Sequence, residues 1–176
     1  CVVGHNAQIV HNRKVTNQLD YEAELGVVIG KEVKCVSAKE AMDCVWGYTI
    51  VNDVSARDVQ ANHKQWLLGK SQDTFCPMGP FAVSKNLIDL TDTSIKCWVN
   101  DELRQDGNTA LMIFDVPSLI ETISAGITLY PGDVIATGTP AGVGAGFIPP
   151  KFLKNNDTVT IEISGIGTLV NKVVSE

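Results

Sequence analysis

The hydrophobic positions fall mostly into short β-type runs, and only two stretches carry helical signals. Leu25 to Ile29, Trp46 to Val51, Ile95 to Val99, Val134 to Thr137 and Val159 to Ile163 are bounded by Gly, Asn, Asp and Pro, which predicts strands. Helices are predicted over Ala38 to Cys44, behind Ser37 as N-cap, and over Ser118 to Ser124. The second follows Asp115, has Pro117 in its first turn and meets Gly126 as a stop. Asn100-Asp101 parts a strand-like run from Leu103-Arg104-Gln105 and predicts a hairpin. The pattern describes one mixed α/β, β-rich domain over residues 1–176, with no internal repeat, low-complexity segment or clear linker.

The most informative run is D-Y-E-A-E-L-G-V-V-I-G. A two-residue period places Asp20, Glu22 and Glu24 on one face and Tyr21, Ala23, Leu25, Val27 and Ile29 on the other. Taken alone, this alternation describes a half-exposed strand with a solvated acidic face. A second polar cluster, Asn52, Asp53, Ser55, Arg57, Asp58 and Gln60, ends the apolar run from Trp46 to Val51, where sites tend to sit.

If Asp53 lies beside Glu22 and Glu24, each carboxylate pair repels by roughly 4 kcal/mol at 4 Å and an effective dielectric of 20. Protonation of one acid, a cation such as Lys70 or Arg57, or a divalent metal would offset that repulsion. An all-carboxylate site suits the hard cations Mg²⁺, Mn²⁺ and Ca²⁺, whereas zinc sites usually draw on His or Cys. His5, His11 and His63 show no zinc spacing. Three protein oxygens would leave positions for water and a chelating substrate.

Lys70 follows the apolar W-L-L-G approach; it reads as a surface loop lysine unless it is paired with the acids. Thr139 and the backbone N–H groups after Gly138 offer donors for a substrate carboxylate, or Thr139 serves its own turn. T-P-A-G-V-G-A-G at 139–146 is a tight loop, but no Lys-Ser or Lys-Thr follows and its glycines lack the dinucleotide-binding spacing. There is no G-x-S-x-G, no H-E-x-x-H and no obvious Cys-His arrangement.

Composition narrows the partners. The net charge of −6 and the scattering of 14 basic residues argue against nucleic acid. No apolar run is long enough to span a membrane as a helix. The five cysteines, Cys1, Cys35, Cys44, Cys76 and Cys97, are odd in number and form no C-x-x-C pair, so reduced thiols in a reducing compartment are expected. They read as core residues ahead of nucleophiles. Because the chain opens at Cys1 and not Met, an upstream piece is expected.

Four blocks together resemble the fumarylacetoacetate hydrolase family: D-Y-E-A-E-L-G-V-V-I-G-K at 20–31, G-Y-T-I-V-N-D-V-S-A-R-D-V-Q at 47–60, Q-W-L-L-G-K-S-Q-D-T-F-C-P-M-G-P at 65–80 and P-G-D-V-I-A-T-G-T-P-A-G-V-G at 131–144. The third looks closest to the branch called fumarylacetoacetate hydrolase domain-containing protein 2. The resemblance implies the family's catalytic-domain fold, mixed sheets in a barrel-like roll with few helices. It implies Mg²⁺ or Mn²⁺ on Glu22, Glu24 and Asp53, substrate contacts from Arg57, Gln60 and Thr139, and Lys70 adding positive charge or moving a proton.

The implied activity is C–C bond hydrolysis of a small 2-oxo or 2,4-dioxo acid through a metal-held enolate. Oxaloacetate tautomerisation or decarboxylation is the alternative. A catalytically silent oxo-acid-binding module is the alternative of another class. A homodimer in the mitochondrion or cytoplasm is also implied. Hydrolytic and decarboxylating members carry an H-x-x-E lid segment upstream of the acidic strand, and no H-x-x-E occurs in these residues.

Overall fold

A computed structural model describes residues 1–176. The chain forms two five-stranded sheets and a two-stranded ribbon, with four short helices at the margins. The first sheet runs β1 (Val2–Val3), β7 (Cys76–Ser84), β5 (Val45–Asn52), β4 (Ala23–Ile29) and β10 (Val134–Ala136). The second runs β2 (Gln8–His11), β12 (Gly167–Ser175), β11 (Thr158–Ile163), β8 (Ser94–Val99) and β9 (Glu102–Asn108). Only the β1–β7 and β2–β12 pairs are parallel, so both sheets are mixed. The ribbon pairs β3 (Leu19–Asp20) with β6 (Ser55–Ala56).

Alternation explains the second sheet: Ile95, Cys97 and Val99 of β8 and Val159, Ile161 and Ile163 of β11 are buried, with less buried residues between them. The strands β4 and β5 differ. From Leu19 to Val27 every residue is buried, including Asp20 at 0%, Glu22 at 7% and Glu24 at 3% exposure. The solvated acidic face that alternation alone describes is therefore absent. Those carboxylates face the interior, so each requires a partner.

The predicted strands appear with shifted ends, and the first helical prediction appears as α1 (Ala38–Ala41) followed by a 3₁₀ turn, Met42–Cys44. The second becomes α4 (Val116–Ser124), where Asp115 caps the Ser118 N–H at 2.9 Å and Val116, Ile120 and Ser124 form the buried stripe. The hairpin at Asn100-Asp101 joins β8 to β9, with Asn100 at φ 55°. Two helices arise where the sequence pattern predicts only a polar cluster and a loop lysine: α2 (Arg57–His63) and α3 (Leu67–Lys70).

Candidate active site

Strand register creates the site. In the antiparallel β4–β5 pair Ala23 faces Asn52, and the Asp53 N–H donates to the Glu22 carbonyl at 3.0 Å. The start of one strand thus meets the end of the other. Glu22, Glu24 and Asp53 each direct a carboxylate oxygen into one volume, all three within 4.8 Å of one another. Asn52 supports the junction by accepting the Glu22 N–H on Oδ1 at 3.1 Å.

Two cations offset the charge. Lys70 Nζ lies 2.8 Å from Glu22 and 2.5 Å from Asp53. Arg57 reaches Glu22 at 2.6 Å through Nη1 and Asp20 at 2.9 Å through Nε. Burial pulls the Lys70 ammonium down, but its hydrogen bonds to Asp53 and Glu22 carry it above the ordinary lysine value. The same balance, burial opposed by Glu22 and Asp20, raises Arg57.

Glu24 has no such cation. Its Oε2 accepts the Gly138 N–H at 2.8 Å, yet burial, reinforced by Asp53 and Glu22, pushes its pKa up to about 7. Three clustered carboxylates, one of them held only by a backbone N–H, form an oxygen donor set that fits a hard divalent cation.

The α2–α3 pair delivers the cationic side chains. Arg57 and Gln60 stand three residues apart on α2, and Gln60 Oε1 accepts from Arg57 Nη1 at 3.3 Å. Gly69, just before Lys70, lets α3 lie against α2: a Cβ there would sit 3.0 Å from that of Gln60. The loop lysine reading is thus replaced by a half-buried helix-end lysine paired with two acids.

The 139–146 loop encloses a carboxylate of the chain itself. Asp20 accepts Gly144 N–H at 2.7 Å and Ala145 N–H at 3.0 Å while pairing with Arg57. A Cβ on Gly144 would meet Asp20 Oδ1 at 2.6 Å, so this position requires glycine.

Thr139 Oγ1 donates its one O–H to the Ala23 carbonyl at 3.0 Å and accepts from Gln105 Nε2 at 2.8 Å, which ties the loop to both sheets. Sequence reading did not single out Asp20 or Gln105 as site supports. Asp20 was visible on the acidic face, whereas no local signal marks Gln105. The cysteine expectation holds for Cys44 and Cys97, which are buried; Cys76 is half-buried, and Cys1 and Cys35 are exposed.

Two mixed sheets with three convergent carboxylates at adjoining strand ends, braced by a lysine and an arginine, define a class of acid-lined sites whose oxygen donors fit a hard divalent cation. The chain belongs to the fumarylacetoacetate hydrolase family: residues 1–174 match the family model "Fumarylacetoacetate (FAA) hydrolase C-terminal".

It is 54% identical over 173 residues to oxaloacetate tautomerase YisK of Bacillus subtilis (strain 168), covering 98% of this chain and 58% of that protein. Among solved structures, fumarylacetoacetate hydrolase from Exiguobacterium antarcticum superposes with a TM-score of 0.97 at 46% identity, over 99% of this chain and 63% of that one. For 2-hydroxyhepta-2,4-diene-1,7-dioate isomerase from Mycobacterium marinum the TM-score is 0.92 at 46% identity, over 99% and 66%. The chain thus spans 58% of the length of the curated relative.

These relatives are tautomerases, isomerases and hydrolases of bacteria, which lends no support to a mitochondrial location and does not single out the domain-containing protein 2 branch. No helix is long and apolar enough to cross a membrane.

Proposed function

We propose that this chain is the catalytic portion of a Mg²⁺- or Mn²⁺-dependent enzyme that moves a proton in a small 2-oxo acid, with keto–enol tautomerisation of oxaloacetate as the reaction. The convergence of Glu22, Glu24 and Asp53 within 4.8 Å beside the Lys70 ammonium carries the reading of metal-dependent proton transfer, and the choice of oxaloacetate rests on the 54% identity to oxaloacetate tautomerase YisK. Those carboxylates would hold the cation. When bound, it supplies open coordination positions and stabilises negative charge on the substrate oxygen.

The other roles fall to the chain's own groups. Arg57 and Gln60 lie on one turn of α2 and bind a substrate carboxylate. From enol to keto, Lys70 Nζ gives its proton to the substrate carbon while the enol O–H proton leaves to solvent, from which Nζ is reprotonated, and the reverse direction retraces these transfers. Thr139 fixes the loop whose Gly138 N–H orients Glu24.

Hydrolysis of a C–C bond is the second reading, favoured by one observation. A cavity of about 490 Å³ adjoins Gly138 and Thr139, with Leu111, Met112, Ile113 and Phe114 on its wall. It suits an apolar acyl tail, which oxaloacetate lacks.

The test follows enol-oxaloacetate decay and acylpyruvate cleavage by the full-length protein, with Mg²⁺ or Mn²⁺ and with EDTA. Metal-dependent acceleration of enol decay supports the first reading. Cleavage without tautomerisation moves the assignment to the second. Turnover of neither, with metal and oxalate bound, leaves the silent binding module.

A further inference from the structure

A second cavity, about 740 Å³ in volume, opens among the end of β2, the β8–β9 turn and the segment at 150–157. It shares no residue with the carboxylate cluster, its two cations or the Gly138–Thr139 loop. Its wall carries Arg13, Arg104, Lys151 and Lys154 against the carboxylates of Glu102 and Asp157. Four cations against two acids leave this wall at +2 in a chain whose formal charge is −6.

Both acids are already committed. Glu102 bridges Arg104, at 2.9 Å from Nη2, and Lys151. Asp157 accepts from Asn100 Nδ2 at 3.0 Å and from the Lys154 backbone N–H at 2.8 Å. Neither Arg13 nor the Lys154 ammonium joins any ion pair of the chain.

Two further observations mark this wall. Cys97 pairs with Gln105 and Trp98 with Leu103, which makes Arg104 the extra residue of a bulge; bulges commonly re-aim a side chain beside a site. The guanidinium and the Lys151 ammonium lie 5.3 and 4.7 Å from the Phe147 ring centroid, which fixes both heads. Secondly, Arg104 Nε and His11 Nδ1 are buried without a hydrogen-bond partner, and both residues line this cavity. His11 is 4% exposed, and its other ring nitrogen pairs with the Thr16 carbonyl at 3.0 Å. Buried polar atoms are ordinarily satisfied; His11 donates from Nε2 to Thr16, which leaves its Nδ1 an acceptor, so it is the unpaired Arg104 Nε donor that distinguishes this wall from a solvated charged face.

We propose that this cavity is a second binding site, separate from the catalytic one, for a small oxyanion with at least two negative charges carried on phosphate or carboxylate groups. Arg104 offers a planar fork to such a group, and Arg13, Lys151 and Lys154 add charge. The incoming dianion replaces Glu102 as the acceptor for Arg104 and Lys151. The volume admits a metabolite-sized ligand.

The test is calorimetric titration of inorganic phosphate, and separately of citrate, into metal-stripped, dialysed protein, with ionic strength held constant by NaCl. Wild type, Asp53→Asn and the double variant Arg13→Ala/Lys154→Ala are compared. Arg13 and Lys154 are exposed, so the double variant keeps the fold. Saturable binding is expected, equal in wild type and Asp53→Asn and weaker by roughly tenfold or more in the double variant. Binding of one ligand alone supports the site and assigns its chemistry. No saturable binding, equal affinity in the double variant, or loss of binding in Asp53→Asn overturns it.

Discussion

The Gln105 amide donates to the Thr139 hydroxyl at 2.8 Å, so a side chain of the second sheet holds the loop that borders the acidic cluster of the first. Its oxygen accepts the Ala23 N–H at 3.0 Å and its nitrogen also reaches the Pro140 carbonyl at 2.8 Å. Gln105→Glu keeps the acceptor and removes both donors. The buried carboxylate then faces the Pro140 carbonyl, so the variant should lose about 3 kcal/mol or more of stability and bind oxalate more weakly while keeping its Mg²⁺ affinity. Denaturant unfolding and separate titrations of metal and oxalate check this; unchanged oxalate affinity would refute the positioning role.

Asp20 does similar work for Arg57. It is fully buried and accepts from Arg57 and from the Gly144 and Ala145 N–H groups. Asp20→Asn removes the charge that this cradle surrounds and leaves Arg57 with Glu22 alone. A loss of roughly 3–5 kcal/mol in urea unfolding is expected, because breaking a buried pair leaves a charge uncompensated. A change below about 1 kcal/mol would show that the cradle is indifferent to charge.

How far the sequence carried the reading depends on the range of each interaction. The acidic alternation at 20–24 and the polar end of β5 were legible because both are local patterns. Their convergence was conditional until the Ala23–Asn52 register placed them together. Burial of Glu22 and Glu24 was not legible, since a period of two marks opposite faces without saying which is wet. Helix α3 escaped because it is four residues long and held by packing on α2 through Gly69. Gln105 lies on β9, 34 residues from Thr139, and only the approach of two sheets gives it a role.

The raised pKa of Glu24 fixes a sign for pH dependence in the metal-free protein. A value of about 7 in the folded chain exceeds the ordinary 4.5, so between these values the folded state holds a proton that the unfolded state has released. The protonated form's stabilisation is complete below pH 4.5 and is lost as pH rises through 7, a contribution of about 3 kcal/mol. Thermal unfolding in the absence of metal should therefore show lower stability at pH 8 than the Glu24→Gln variant, whose amide does not titrate. Metal binding requires the carboxylate, so Mg²⁺ affinity should rise with pH up to about 7 and binding should release up to one proton from Glu24. Calorimetry in two buffers of different ionisation enthalpy measures that release; none at pH 6 would contradict the assignment.

Lys70 separates the electrostatic role of the site from its chemistry. Its ammonium bridges Glu22 and Asp53, and in the metal-free chain it offsets their repulsion. Lys70→Met keeps the length and apolar stem of the side chain but removes the charge and the transferable proton. Without metal the variant should be less stable than wild type by roughly 1–3 kcal/mol, because buried Glu22 and half-buried Asp53 lose their shared partner. Saturating Mg²⁺ or Mn²⁺ should recover most of that loss, so the metal-induced rise in Tm should be larger in the variant than in wild type. Turnover should remain depressed by about 10²–10⁴ even when metal restores stability, as expected when a proton-transfer group is removed. Unfolding scans with EDTA and with metal, run beside the oxo-acid assay, read the two effects separately. Recovery of both stability and activity would reduce Lys70 to a counter-ion, and recovery of neither would deny the carboxylates their metal.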